Sequence, residues 1–442
     1  MRPIAIIGSG IIGLIAAHAL RKAGYEVTLY SDRTADQWLN ESAPTGTAAR
    51  FEMALSFERE LGLNHWDGVA PRGEGVFLTF CPTKHNPLIR LLGRSEKPFQ
   101  AVDMRLQCHR WMNDLEDRGG RVIIENVTPE RLDGIAAQHD LTIVAAGKGD
   151  LCRLFPRDDA RSPIAAPKRH LAMIVATGRM AVDGCPFLPV KFEFLGTDGE
   201  IFLAPYHHKD HGPSWNIVVE AQPGSRIDRY DDVRSGADAL AITKSLVEEL
   251  FPWSGEWVRS MKLADPRGWL TGRITPTVRK PFATLPSGGI VMALGDTAIA
   301  YDPVAAQGAN SGVKQTRHLV GRIVARGDRP FDAQWIAETF DEFYEEHAHW
   351  ACTFNNLFLD PIPAAGKEIL IAQYGSDGVA QSGQQRIANA FFENFNDPRT
   401  LTPAFLDMNR ARAFIAERTG QPWLWNAIRG RGRVAWNQIS AS

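Results

Sequence analysis

PIAIIGSGIIGLIAAHALRKAGYEVTLYSD, residues Pro3 to Asp32, is the stretch that decides the fold. An apolar run from Pro3 to Ile7 meets Gly8-Ser9-Gly10-Ile11-Ile12-Gly13, a helical pattern follows to Lys22, and Glu26 to Tyr30 reads as a second buried strand. Gly8 and Gly10 let a phosphate diester approach the backbone at a helix N-terminus, and Gly13 lets that helix lie close on the sheet. Asp32, just past the second strand, is placed to hydrogen-bond a ribose. The unit predicts an adenine dinucleotide site; alone it leaves FAD and NAD open.

A second glycine cluster points to a flavin. Gly295-Asp296 follow the strand-like Gly289 to Leu294, and Asp302-Pro303-Val304-Ala305-Ala306-Gln307-Gly308-Ala309-Asn310 lead into a helix predicted from Gly308 to Ile323. A carboxylate after a strand can accept from a ribityl hydroxyl. A Gly/Ala-rich helix start can aim N–H groups at a flavin's pyrimidine edge, where negative charge accumulates on reduction.

Further helices are expected near Ala54–Leu63 and Arg105–Arg118, the latter closed by Gly119-Gly120, and strands at Gly75–Phe80, Arg121–Ile124 and Leu141–Ala146. The middle third differs: Leu171–Thr177, Lys191–Leu195, Gly199–Pro205 and Trp215–Glu220 read as an antiparallel sheet. The expected class is α/β: a discontinuous Rossmann-like domain over 1–165 and 280–330, with 70–100 available to the second lobe, a β-sheet substrate domain over 166–279, and a helical region over 331–442.

Composition narrows the partners. The 442 residues carry 49 Lys+Arg against 51 Asp+Glu, net −2, with no dense basic run, which argues against nucleic acid and anionic lipid. Five scattered cysteines without C-x-x-C suggest neither a disulfide framework nor a thiolate zinc site, and fit a reducing cytoplasm. The apolar start, Ile4 to Leu20, is broken by glycines and His18 and is too short to span a bilayer.

The chain resembles the styrene and indole monooxygenases, epoxidase components of two-component flavoprotein systems. The resemblance rests on Gly8-x-Gly10-x-x-Gly13, Tyr30-Ser31-Asp32-Arg33, Ala101-Val102-Asp103-Met104-Arg105-Leu106, Gly147-Lys148, Gly295-Asp296, Asp302-Pro303-Val304, Gln307-Gly308-Ala309-Asn310 and Glu393-Asn394-Phe395-Asn396. It implies an FAD-binding domain of the p-hydroxybenzoate hydroxylase type, a separate NADH-dependent flavin reductase, and transfer of oxygen from a C4a-(hydro)peroxyflavin to an electron-rich aromatic alkene. A homodimer is compatible with it; no metal is implied. Gly147-Lys148-Gly149, where single-component hydroxylases carry Asp-Gly, favours the two-component arrangement. The segment Ser42 to Glu52 lacks the Asn and His that styrene epoxidases carry there.

Motifs and resemblance together nominate Gly8, Gly10, Ile12, Gly13, Asp32, Arg33, Arg105, Gly295, Asp296, Pro303, Gln307, Gly308, Ala309 and Asn310 for FAD. Pro303 and Val304 are expected as one wall of the substrate pocket, and Thr45 to Phe51, through Thr47 and Phe51, as the other. Alternatives are a single-component NAD(P)H-dependent hydroxylase, a flavin-dependent double-bond reductase, and a flavin carrier. His207, His208, His211, His347 and His349 read as surface or loop residues, Ser311-Gly312-Val313-Lys314 as a chance S-x-x-K, and Trp111, Trp335 and Trp350 as core. The W-x-W-x-I-P segment of flavin halogenases is missing.

Overall fold

The computed structural model describes residues 2–81, 87–147 and 149–440, with side chains to 435; Lys148 lies outside the described residues. β1 (Pro3–Ile7) and β2 (Glu26–Ser31) pair in parallel about the helix Ile11–Lys22. The chain then detours into a second sheet, where β3 (Gly73–Phe80) and β4 (Ile89–Phe99) form a hairpin. It returns through helix Met104–Asp117 to β5 (Arg121–Ile124) and β6 (Leu141–Val144). The first sheet runs Phe282–Thr284, Ile290–Ala293, β6, β1, β2, β5, and is parallel except at its Phe282–Thr284 edge. Burial of β1 and β6 on both faces explains their unbroken apolar runs.

The second sheet joins β3 and β4 to β7 (His170–Thr177), β8 (Pro189–Phe194), β9 (Gly199–His208) and β10 (Gly212–Ala221), with short strands Lys262–Leu263 and Trp269–Arg273 on β7. Two-residue alternation sorts its faces. In register, Phe192 lies opposite Phe202, Phe202 opposite Val218, Ala204 opposite Asn216 and Glu200 opposite Glu220. Phe192, Phe202 and Val218 pack toward the first layer, in one core with Phe51, Val304 and Phe395. The opposite face, with Ile201, Leu203, Trp215 and Ile217, packs against helices Gly236–Leu250 and Pro252–Arg259.

Helix Gln307–Arg326 crosses helix Ile11–Lys22, and a Cβ at Gly312 would stand 2.7 Å from Ile12 Cδ1, so glycine permits that approach. Helix Gly383–Asn396 lies on β4: Asn389 Oδ1 accepts from Arg94 N at 2.9 Å, and Gln385 Nε2 donates to Leu92 O at 2.8 Å. Among the described residues no helix is long and apolar enough to cross a membrane. Trp111 and Trp335 are core, while Trp350 is half-buried.

The histidine expectation needs correcting. His207 and His208 belong to β9, because the β9–β10 pairing runs on to His208 opposite Gly212, and His208 is fully buried. His347 is buried as well; only His211 and His349 are exposed. No group of possible metal ligands occurs among the described residues.

His18 gives the fold an acid limit. It is buried, with Nε2 2.8 Å from Trp111 O and Nδ1 3.1 Å from an Arg118 N–H, a pattern only the neutral ring satisfies. Burial lowers its pKa to about 4. The unfolded chain therefore binds a proton first, so stability from this site is complete above about pH 6.5 and is lost as pH falls through 4. Wild type should lose about 2–3 kcal/mol over that window relative to His18→Gln, measured by urea unfolding across pH.

Candidate active site

A cavity of about 990 Å³ separates the two layers and opens at the carboxyl ends of β1, β2, β6 and Ile290–Ala293, the edge where parallel sheets bind ligands. At one end stand Gly8, Ser9, Gly10, Asp32, Arg33 and Trp38. Gly8 has φ +114°, and a Cβ there would lie 2.5 Å from Ala145 O. A Cβ at Gly13 would lie 1.9 Å from Gly8 O, whereas one at Gly10 would meet nothing within 4 Å. The turn is thus packed tight from behind and open in front. Gly10 caps helix Ile11–Lys22 without a side-chain hydrogen bond, leaving the helix's first N–H groups to the cavity. Arg33 clamps both Asp32 oxygens, at 2.9 and 2.7 Å, and lies 4.5 Å over the Trp38 ring. Trp38 in turn donates to Ser9 Oγ at 2.9 Å.

Across the cavity helix Gln307–Arg326 begins the same way, capped by the left-handed Ala306 (φ 52°) with no side-chain partner. Asp296, Pro303, Val304, Gly308 and Ala309 line this side, facing Thr45 to Ala49 and Phe51. Asn310 ties the two walls from behind: its amide nitrogen donates to Ala49 O (2.8 Å) and Ala306 O (2.7 Å), and its oxygen accepts from Phe51 N (2.9 Å). Asn310→Ala removes all three bonds and orphans buried backbone groups, so it should cost roughly 2–3 kcal/mol and lower the thermal midpoint accordingly.

The far end is apolar. Phe51, Phe99, Phe192, Phe202, Phe392 and Phe395 converge there, with Phe51 rings 5.6, 5.8 and 6.1 Å from those of Phe99, Phe392 and Phe395. Sequence reading found Phe51 alone. Phe192 and Phe202 could have been read from strand alternation and Phe392 and Phe395 from their helical spacing, but nothing local says that five separate segments meet. Trp38 was also missed.

Of the nominated residues, Gly8, Gly10, Ile12, Asp32, Arg33, Asp296, Pro303, Gly308, Ala309, Val304, Thr47 and Phe51 line the cavity. Gly13, Gly295, Gln307 and Asn310 stand behind it: Gly295 packs on Ile12, and Gln307 Nε2 donates to Ala305 O and Phe395 O. Arg105 does not reach it. Its guanidinium is bound to Asp103 (2.7 Å) and Asp265 (2.9 Å), with His208 Nε2 at 3.2 Å, in a buried ion cluster joining helix Met104–Asp117 to β9. Burial opposes ionisation of Asp265, but hydrogen bonds from His208 and Arg105 hold its carboxyl well below the usual range. Met104, the preceding residue, lines the cavity instead and accepts Thr45 N–H and O–H at its Sδ. In the Thr45–Phe51 wall, Ala48 is left-handed (φ 48°) and Thr47 Oγ1 donates to Asn216 Oδ1 at 2.8 Å.

Comparison with known proteins agrees with this geometry. Residues 147–256 match the styrene monooxygenase A substrate binding domain family, and residues 6–35 an NAD(P)-binding Rossmann-like domain. Styrene monooxygenase StyA of Pseudomonas fluorescens is 28% identical over 414 residues, 92% of this chain and 96% of that protein. StyA of a Pseudomonas sp is 28% identical over 419 residues, with the same shares. The fold is also that of flavin-dependent brominase Bmp2 (TM-score 0.59, 13% identity, 81% of this chain and 87% of that one). It is shared by 2-methyl-3-hydroxypyridine-5-carboxylic acid oxygenase (TM-score 0.57, 15% identity, 88% and 96%).

Proposed function

We propose that this chain, which is similar to the styrene monooxygenases over 92% of its length, is a flavin-dependent monooxygenase that takes reduced FAD from a separate NADH-dependent reductase and adds one oxygen atom of O₂ to the double bond of a small, electron-rich aromatic alkene of the styrene or indole class. The observation that carries this reading is a cavity with two helix N-termini that lack side-chain caps at its polar side and six phenylalanines at its far end.

The residues fit FAD. Gly10 leaves room beside the N–H groups of Ile11 and Ile12 for a diphosphate. On this reading Asp32, held by Arg33, takes a ribose, and Asp296, which lines the cavity, takes the ribityl chain. The start of helix Gln307–Arg326 offers Gly308 and Ala309 N–H groups to the pyrimidine edge. When bound, the flavin supplies the activation of oxygen. The chain's part is to exclude water and hold the alkene: the phenylalanines bring no titratable group and bury an aromatic ring, while Pro303, Val304 and Thr47 fix the walls between ring and flavin. A π bond donates its own electrons to the oxygen, so no side-chain nucleophile is required.

The test combines the protein, FAD, an NADH-driven flavin reductase, and styrene or indole. Oxygenated product that depends on the reductase and on O₂ is expected. NADH oxidation by the protein alone with hydroxylation of a phenol would overturn the two-component reading, and reduction of the substrate without O₂ would make it a double-bond reductase.

A further inference from the structure

From Asp302, which lines the cavity beside Pro303 and Val304, a buried polar cluster that the proposed reaction does not use extends into the second sheet. Arg169, Glu200, Glu220 and Asp302 are all buried, at 2% exposure or less. Arg169 is committed to Glu200, with its Nε 2.7 Å from Oε1, and to the carbonyls of Lys168 and Phe358 at 3.1 Å each. Glu220 sits opposite Glu200 in the β9–β10 register, an arrangement two charged carboxylates would oppose. Asp302 Oδ1 accepts from Val304 N at 3.2 Å and caps the turn Pro303–Ala305. Asp302 Oδ2 and both Glu220 oxygens are buried and receive no donor from the protein, and each carboxyl lies within the electrostatic reach of the other. These four are the ionisable groups acting on Glu220 and Asp302: one guanidinium against three carboxyls.

Two neighbouring buried carboxylates without a donor are untenable, and a single proton shared by them resolves the conflict. Burial, with Asp302 and Glu200 beside it, pushes Glu220 well above the usual carboxylate range, and burial raises Asp302 too. Burial also pushes Glu200 up to about 7, against the pull of Arg169.

Resting on the reading of the cavity given above, we propose that Glu220 is a positioning residue: its carboxyl proton bridges to Asp302 Oδ2, leaves Asp302 Oδ1 to the Val304 N–H, and so holds the Pro303-Val304 wall beside the flavin. When the proton is lost to solvent base at alkaline pH, the two carboxylates repel, the turn leaves its place, and flavin binding weakens.

The sign follows from linkage. An unfolded glutamate titrates near about 4.3, so the stability this proton confers is complete below that pH and declines as pH rises toward the folded value. Glu220→Gln keeps an N–H donor for Asp302 and has no proton to lose. Its thermal midpoint, measured without flavin, should climb relative to wild type by several degrees between about pH 5 and pH 9. In wild type at neutral pH, infrared spectra should show, above the contribution of Glu200 common to both proteins, the C=O stretch of a second protonated carboxyl that Glu220→Gln lacks. Wild-type affinity for FAD should fall about tenfold over the alkaline half of that range, while that of Glu220→Gln stays level. A midpoint difference that is flat with pH, together with a second carboxyl band that persists in the variant, would overturn the proposal. Should Glu220→Gln fail to fold, Asp302→Asn decides: its amide offers Glu220 a donor, so the second band should vanish, and its retention counts against the proton bridge. If neither wild type nor variant binds FAD, the functional reading falls, while the midpoints and infrared band still decide the proton.

Discussion

Gly13→Ala is expected to destabilise the protein by more than about 3 kcal/mol, whereas Gly10→Ala, three residues away in the same motif, should leave folding nearly unchanged and abolish high-affinity flavin binding. The difference lies in what surrounds each position. A methyl at Gly13 would lie 1.9 Å from the Gly8 carbonyl oxygen and cannot be relieved by a side-chain rotation. Gly8 cannot retreat either, since it is left-handed and lies against the Ala145 backbone. At Gly10 the added methyl meets no protein atom within 4 Å and occupies only the space before the helix N-terminus. Urea unfolding and flavin fluorescence separate the two effects. A Gly13→Ala midpoint within experimental error of wild type would show that helix Ile11–Lys22 does not depend on that close approach.

The second large effect is expected at Glu58. Arg50 and Glu58 form an ion pair with side chains 0% and 3% exposed. Burial pushes the Glu58 carboxyl up, and Arg50 pulls it back. Glu58→Ala strands a buried guanidinium and should cost about 3–5 kcal/mol, while Arg50→Met combined with Glu58→Leu should recover a substantial part of that loss. The single change also reaches the cavity: Arg50 donates to Ala48 O at 2.6 Å, which holds the left-handed residue at the centre of the Thr45–Phe51 wall. A double variant as unstable as Glu58→Ala would mean that packing around these side chains, rather than the unpaired charge, dominates.

The parts of the site legible in the sequence are those whose chemistry is local. Gly8, Gly10 and Gly13 act within one turn, and Asp302 to Asn310 form one loop and helix start, so spacing alone reveals what the backbone must do. Arg105 shows the opposite. Its neighbourhood in sequence suggested a ligand, but its partner Asp265 lies 160 residues away and no local signal announces the pair. His208 was misplaced because Pro205 and Gly212-Pro213 look like turn boundaries, yet cross-strand pairing carries β9 through to His208. Glu220 closes an apolar run that ends like a strand reaching solvent; only the register with Glu200 and the approach of Asp302 show it to be buried. The phenylalanine end required tertiary register for the same reason.

Helix Gly383–Asn396 follows every strand of both sheets in the chain, yet supplies Phe392 and Phe395 to the cavity and holds its edges through Gln307 on Phe395 O, Lys314 on Asn396 O and Asn396 on Met53 N. During synthesis both sheets can therefore assemble around a compartment that still lacks one side. A nascent chain released or cleaved before residue 383 would retain the dinucleotide turn and lose the aromatic seal. The order of translation thus delays a closed compartment until residues 383–396 have been made.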